Sequence, residues 1–327
     1  MLIDDAVYST HQIHEPVLIE LLHSAALQRL QGIHQGGASF LVRERRDISR
    51  YEHSVGVMLL IRLLGGSVQE QLAGLLHDIS HTAFSHVVDY ALGNRSEDFH
   101  EQHFEPIIER FAIPALLQRY GLSVADILPL EQWSLLEQEM PDLCADRIDY
   151  TLRDLLRIGY IDSASIQHFL AQLQAHEGKI VCRSVEAALW FTEQYACLIL
   201  ELFLHPMELF ASQQLAEALR IALSNGILQE DDLFLQDDAI LARLQASHDP
   251  DIARYLASLH PALQVVEDTT STAKKAYVKA RYVDPLVLQP DGRVVRCSAL
   301  EPSVQHIQTA MRQKAIDGVS LKVITHL

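Results

Sequence analysis

The sequence predicts a mainly α-helical protein with a small α+β lobe at its C-terminal end. Three observations lead there. Ser49-x-x-Glu52 and Ser67-x-x-Glu70 each place a capping box ahead of an apolar run. Leu72, Leu75, Leu76 and Ile79 recur at helical spacing. After Thr269-Thr270-Ser271-Thr272 the pattern changes, and Pro290-Asp291-Gly292 separates two short extended stretches.

Taken in order, residues 1–175 read almost entirely as helices joined by short turns. The first clear apolar run, Val55–Leu64, stops at Gly65-Gly66, and the second spans Val68 to about Ile79. A further helix is expected from near Pro141, a favourable first-turn residue, to Gly159, a favourable stop. Lys179–Cys182 reads as a short extended piece, and residues 185–246 as two or three more helices. Thr269–Thr272 reads as an exposed linker. Tyr277–Leu288 and Arg293–Cys297 form a strand-turn-strand unit, followed by a helix at Ser303–Ala315 and a strand at Ser320–Thr325. Three units are expected: a helical core at 1–175, a helical extension at 176–268 and the lobe at 273–327.

A hydrophobic content of 49% supplies a buried interior for a chain of this length. The formal charge of −17 has the wrong sign for a protein living on nucleic acid or on an anionic membrane. A small anionic substrate remains compatible, because a metal and a few arginines can reverse the field locally. Four cysteines stand far apart, at 144, 182, 197 and 297, with no CxxC pair. This pattern suits reduced thiols in a cytoplasmic protein. The start, Met-Leu-Ile-Asp-Asp, has no basic segment and apolar run of a signal peptide, and the stretch Ala196–Leu204 is too short to span a bilayer.

Ten of the 17 histidines fall within the first 103 residues, accompanied by acids, which points to metal chemistry. Adjacent residues on an ideal helix point about 100° apart. His77 and Asp78 therefore converge on one ion most easily where their helix ends. The segments Arg50–Gly56, Leu75–His81 and Asp146–Tyr150 resemble the H…HD…D signature of the HD superfamily. Phe84-Ser85-His86 and His100-Glu101-Gln102 resemble the branch containing the deoxynucleoside triphosphate triphosphohydrolases. The resemblance covers about residues 25–205.

It implies a helical HD core and one divalent metal held by His53, His77, Asp78 and Asp146. Two imidazoles and two carboxylates suit manganese, iron, nickel or zinc, with magnesium also in range. It further implies that His81 and His86 contact phosphate, and that Asp89 with the His100-Glu101 pair moves protons. Gln35, Arg50, Arg147, Tyr150 and Asp154 would line the pocket. Asp146, Tyr150 and Asp154 recur at i, i+4 and i+8, along one helix face.

The family's later block, an arginine with a Tyr-x-His pair, corresponds to Tyr195–His205. Here His205 is kept as a substrate contact, Phe203 replaces the tyrosine, and no arginine occurs between Arg183 and Arg220. Losing that guanidinium implies a weakened grip on a triphosphate. The expected function is hydrolysis of a nucleotide by water attacking phosphorus. The alternatives are another phosphoester, such as a nucleoside monophosphate or a cyclic nucleotide, or a nucleotide-responsive regulatory subunit. A homo-oligomer is expected, with no nucleic acid and no membrane as partner.

Overall fold

The computed structural model describes residues 1–268, 270, 275–276 and 279–325. It is mainly helical, with small sheets at its margins. The central helix, α1 (Arg50–Leu63), packs against both α2 (Val68–Leu76) and α3 (Ala145–Arg157). Ser49 starts it: its hydroxyl accepts from the Glu52 amide, and the Glu52 carboxylate accepts from the Ser49 amide at 2.9 Å. Such a cap contributes about 1 kcal/mol. It begins α1 five residues before the apolar run and so draws His53 into the first turn. Residues 53–61 are all buried, as befits a helix with no polar face.

The second cap is only half formed. Ser67 accepts from the Glu70 amide, but the Glu70 carboxylate turns away and accepts from the Leu135 amide at 2.8 Å. That bond fastens the 130s loop, whose Leu135 and Leu136 carbonyls in turn accept from the Ala145 and Asp146 amides. The start of α3 is thus satisfied by this loop. It lies at Ala145 rather than near Pro141, and the helix stops at the expected place, with Gly159 at φ +80°. A Cβ on Gly56 would collide with the Asp149 carboxylate and Arg153 guanidinium, so glycine is what lets α1 and α3 approach this closely.

Helix α4 (Val185–Cys197) runs into a π-helical stretch, Leu198–Phe203, before α5 (Pro206–Ser224). Two large hydrophobic clusters result, one around α1–α4 and the other around α5 and residues 83–91. The chain from His77 to Val88 crosses from one cluster to the other. No single helix among the described residues is long and apolar enough to cross a membrane.

The sheets hold what the sequence hid. Strands β1 (Leu2–Asp5) and β2 (Ser9–Gln12) form an antiparallel hairpin within the stretch read as helical. Strands β3 (Leu173–His176) and β4 (Lys179–Cys182) pair, and β4 then pairs in parallel with β6 (Leu286–Leu288), followed by β7 (Val294–Arg296). Strand β5 (Gln264–Glu267) pairs with β8 (Leu321–Thr325). The expected C-terminal helix is α6 (Ser303–Asp317), packed against α4. Each C-terminal strand set therefore completes a sheet begun earlier in the chain. Most of the Thr269–Thr272 linker, and the first two residues of the expected Tyr277–Leu288 strand, lie outside the described residues. Regular strand structure in that stretch begins at Leu286.

Candidate metal centre and catalytic cleft

Helix α2 ends at Leu76, earlier than its periodicity suggests, and leaves His77 at the C-cap with Asp78 beyond it. The His77 Nδ1–H donates to the Gly74 carbonyl at 2.7 Å, turning Nε2 the other way. From α1, the fully buried His53 donates Nδ1–H to Asp149 at 2.8 Å, which likewise turns its Nε2 outward. The two Nε2 atoms are 3.3 Å apart, and Asp146 Oδ1 from α3 lies 2.9 Å from His53 Nε2 and 3.6 Å from His77 Nε2. Asp78 completes the group, with oxygens 3.7 Å from His53 Nε2 and 3.5 Å from His77 Nε2.

Two imidazole nitrogens whose partner nitrogens are already used as donors thus lie within 4.8 Å of each other and of the Asp146 carboxylate, while Asp78 borders this trio and groups equally closely with His81 and His100. Burial disfavours a charged His53, yet the carboxylates of Asp146, Asp149 and Asp78 outweigh it and push the ring up to about 10. Burial also opposes ionisation of Asp78 and Asp146. Arg50 with His77 and His81 holds the first well below the usual carboxylate range, and His53 with His77 does so for the second. A pocket that holds a proton this firmly is one that attracts a cation, and the donor set fits a divalent ion.

Behind the cluster stands a chain of charges. Asp149 accepts from Arg153 at 2.8 and 3.0 Å, and Arg153 pairs with Asp5 of the N-terminal hairpin at 3.0 Å. Asp149 fixes the tautomer of His53 from behind, as carboxylates commonly do for metal-ligating histidines. Asp149→Ala is expected to lower metal affinity about 10- to 100-fold, the usual cost of losing such a partner. Unchanged affinity, measured by competition with a chelator, would show that His53 needs no support.

The loop after Asp78 is pinned from two sides. Arg29 donates to the carbonyls of Ile79 and His81 at 2.6 and 2.9 Å, and Asp237 accepts from the Phe84 amide at 2.7 Å. Phe84 and Ser85 hold left-handed conformations at φ +58° and +52°, uncommon for side-chain-bearing residues. The turn they make presents His81 and His86. His81 Nε2 stands 3.2 Å from Asp78, and its ring stacks on His100 with centroids 3.8 Å apart. His86 meets both rings edge-on, at 5.1 and 5.4 Å. Burial, with Arg50 and His100 nearby, holds His81 neutral. Burial and His86 push His100 down to about 3.

The carboxylate that orients a histidine here is Asp89, 3.2 Å from His86 Nδ1. Asp89 is buried and fixed by Asn94 and the Phe99 amide. No hydrogen bond joins Glu101 to His100 among the described residues, and the buried Nδ1 of His100 has no partner there. The expected His100-Glu101 pairing is therefore replaced, in space, by His86 and Asp89.

Most of these groups face one cleft of about 2260 Å³. Gln35, Arg50, His77, Asp78, His81, His86, His100, Glu101, Asp146, Arg147, Tyr150 and Asp154 all line it. His53 and Asp89 stand behind its wall. His205 lies off the wall and caps α5, its Nδ1 accepting from the Met207 amide at 3.2 Å. Arg50 pairs with Asp78 at 2.6 Å. Arg147 donates to the carbonyls of Asp142 and Gln138, and Tyr150 meets the Tyr195 hydroxyl at 3.1 Å. Asp154 is bound by Arg46 at 2.5 Å, and Arg46 also grips Glu208 with two nitrogens. Asp149, Arg46 and Glu208 were missed in the sequence. Only Asp149 left a trace there, an acid four residues before an arginine inside the Asp146 motif.

The HD domain family pattern matches residues 50–154, the stretch holding all four converging residues. The metal-dependent phosphohydrolase cns2 of Cordyceps militaris is 33% identical over 246 residues, covering 73% of this chain and 71% of its own. The chain belongs to the HD-domain metal-dependent phosphohydrolases. This phosphohydrolase is also 43% identical to the uncharacterized protein YdhJ of Bacillus subtilis (strain 168), over 99% of both chains. It is 26% identical to the deoxynucleoside triphosphate triphosphohydrolase SAMHD1 of Danio rerio, over 51% of this chain and 35% of that one. A phosphohydrolase of Bacteroides thetaiotaomicron shares the fold at a TM-score of 0.74 and 18% identity, covering 96% and 98% of the two chains. The enzyme is thus a metal-dependent hydrolase of phosphoesters.

Proposed function

We propose that this phosphohydrolase hydrolyses nucleotides, in the manner of a deoxynucleoside triphosphate triphosphohydrolase. The observation carrying this reading is that one cleft joins the His-Asp cluster and three histidine rings to a polar and aromatic wall of Gln35, Tyr150, Asp154 and Phe203. A simple phosphate ester would need only the first part. The buried Oε1 of Gln35 has no donor among the described residues and is suited to accept from a sugar hydroxyl or base. The likeness to SAMHD1 points the same way.

His53, His77, Asp78 and Asp146 would hold the divalent ion. Bound there, such an ion polarises a phosphate oxygen and lowers the pKa of bound water. The chain's own groups do the rest. Arg50, fixed by Asp78 and by Ser85 at 3.0 Å, presents a guanidinium edge to the phosphate. Neutral His81 and His100 offer ring N–H groups without adding charge. As water attacks phosphorus and the bond to the leaving oxygen breaks, His86 is placed to give that oxygen the proton on Nε2. Asp89, 3.2 Å from Nδ1, orients the ring for this transfer.

Turnover of mono-, di- and triphosphates of one deoxynucleoside, beside glycerol phosphate, tests the reading. Hydrolysis of nucleotides across several bases, with glycerol phosphate poor, is expected. Inertness toward every nucleotide, with glycerol phosphate turned over, would overturn it.

A further inference from the structure

The guanidinium missing from the helices at 185–203 arrives from farther down the chain. Arg281 stands over Phe203, its Cζ 5.4 Å from the ring centroid. Phe203 lies 6.2 Å from Tyr150, whose ring is 6.5 Å from His53. A single wall therefore runs from the His-Asp cluster to Arg281. Lys275 and Lys279 line the same cleft. Most of the remaining cleft cations are already committed, Arg95 being the exception among the described residues. Arg46 is committed to Asp154 and Glu208, Arg50 to Asp78, and Arg147 to backbone carbonyls. Arg281 itself meets Glu97 through Nη2 at 3.2 Å. Lys275 and Lys279 have no ion-pair partner among the described residues.

We propose that Lys275, Lys279 and Arg281 form a subsite for condensed phosphate, taking the groups a nucleoside triphosphate carries beyond the one at the His-Asp cluster. This rests on the nucleotide reading above and sharpens it to triphosphates. Two ammonium groups without an ion pair among the described residues and a guanidinium, inside a cleft otherwise crowded with carboxylates, focus the field where a polyanion must lie. A guanidinium also matches phosphate geometry in a way a helix of apolar residues cannot. Burial and Asp98 raise the Glu101 carboxyl, and Lys279 pulls it back.

Calorimetric titration with inorganic tripolyphosphate and with orthophosphate tests this on the purified protein. Lys275→Gln with Lys279→Gln removes two charges and leaves the ion pairs among the described residues intact. Arg281→Lys keeps a cation for Glu97 while losing the fork. Each lost charged contact should weaken tripolyphosphate about tenfold or more, so the double variant falls roughly a hundredfold. Orthophosphate binding should not change. The KM for a deoxynucleoside triphosphate should rise in parallel, and that for its monophosphate should not. Tripolyphosphate affinity equal to wild type in the double variant, at matched thermal melts, would overturn the subsite. Loss of tripolyphosphate binding in a protein that hydrolyses no nucleotide would support the subsite and sink the nucleotide reading alone.

Discussion

Replacing His77 and Asp78 together with alanine is expected to abolish hydrolysis and to leave a protein whose melting temperature no longer responds to metal. The two residues supply one imidazole and one carboxylate to the cluster, so the double change removes half of its donors. A ligand that binds only the folded state stabilises it by about 2.7 kcal/mol at a hundredfold excess over Kd. Wild type should lose that increment on chelation, and the variant should have none to lose. Asp78 also neutralises Arg50 at 2.6 Å, and breaking a buried pair costs about 3–5 kcal/mol regardless of metal. The informative readout is therefore the metal-induced shift, measured by calorimetry with and without chelator. Asp78→Asn keeps a hydrogen-bonding partner for Arg50 and separates the two effects. An undiminished metal-induced shift in the double variant would remove His77 and Asp78 from the ligand set.

The second large effect is expected at His86. His86→Ala should keep the metal and lower turnover by roughly 10²–10⁴, the usual contribution of a general acid or base. The geometry behind this is the 3.2 Å contact to Asp89, a carboxylate fixed from behind by Asn94 and the Phe99 amide. Asp89→Asn should produce a smaller fall of the same kind. Near-wild-type turnover in metal-replete His86→Ala would return the proton transfer to His100, whose unpartnered Nδ1 makes it the next candidate.

The candidate ligands were legible because each sits in a short motif whose neighbours also set the local fold. Ser49 and Glu52 start the helix that carries His53, and the early stop of α2 frees His77 and Asp78 to converge. What stayed hidden depends on contacts across long stretches of sequence. The Arg46–Glu208 fork joins residues with no shared pattern, and Arg281 meets Phe203 across 78 positions of sequence. The N-terminal hairpin was invisible for another reason. Leu-Ile-Asp-Asp and Ser-Thr-His-Gln show no alternation of apolar and polar residues, and their pairing is held by the register around Asp5. His100 and Glu101 both line the cleft but share no hydrogen bond among the described residues. Neighbours in sequence on a helix point apart, while His86 and Asp89, at i and i+3, share a face.

Hydrolysis is expected to depend on a single divalent ion at the His53, His77, Asp78 and Asp146 cluster. Elemental analysis combined with turnover, on metal-stripped protein titrated with manganese, tests it most directly. Activity should rise to a plateau at about one ion per chain in wild type, because the four donors form one complete set. The His77→Ala, Asp78→Ala variant should neither bind the ion nor gain activity. Equal metal content in wild type and variant, or full turnover in stripped protein, would contradict the account.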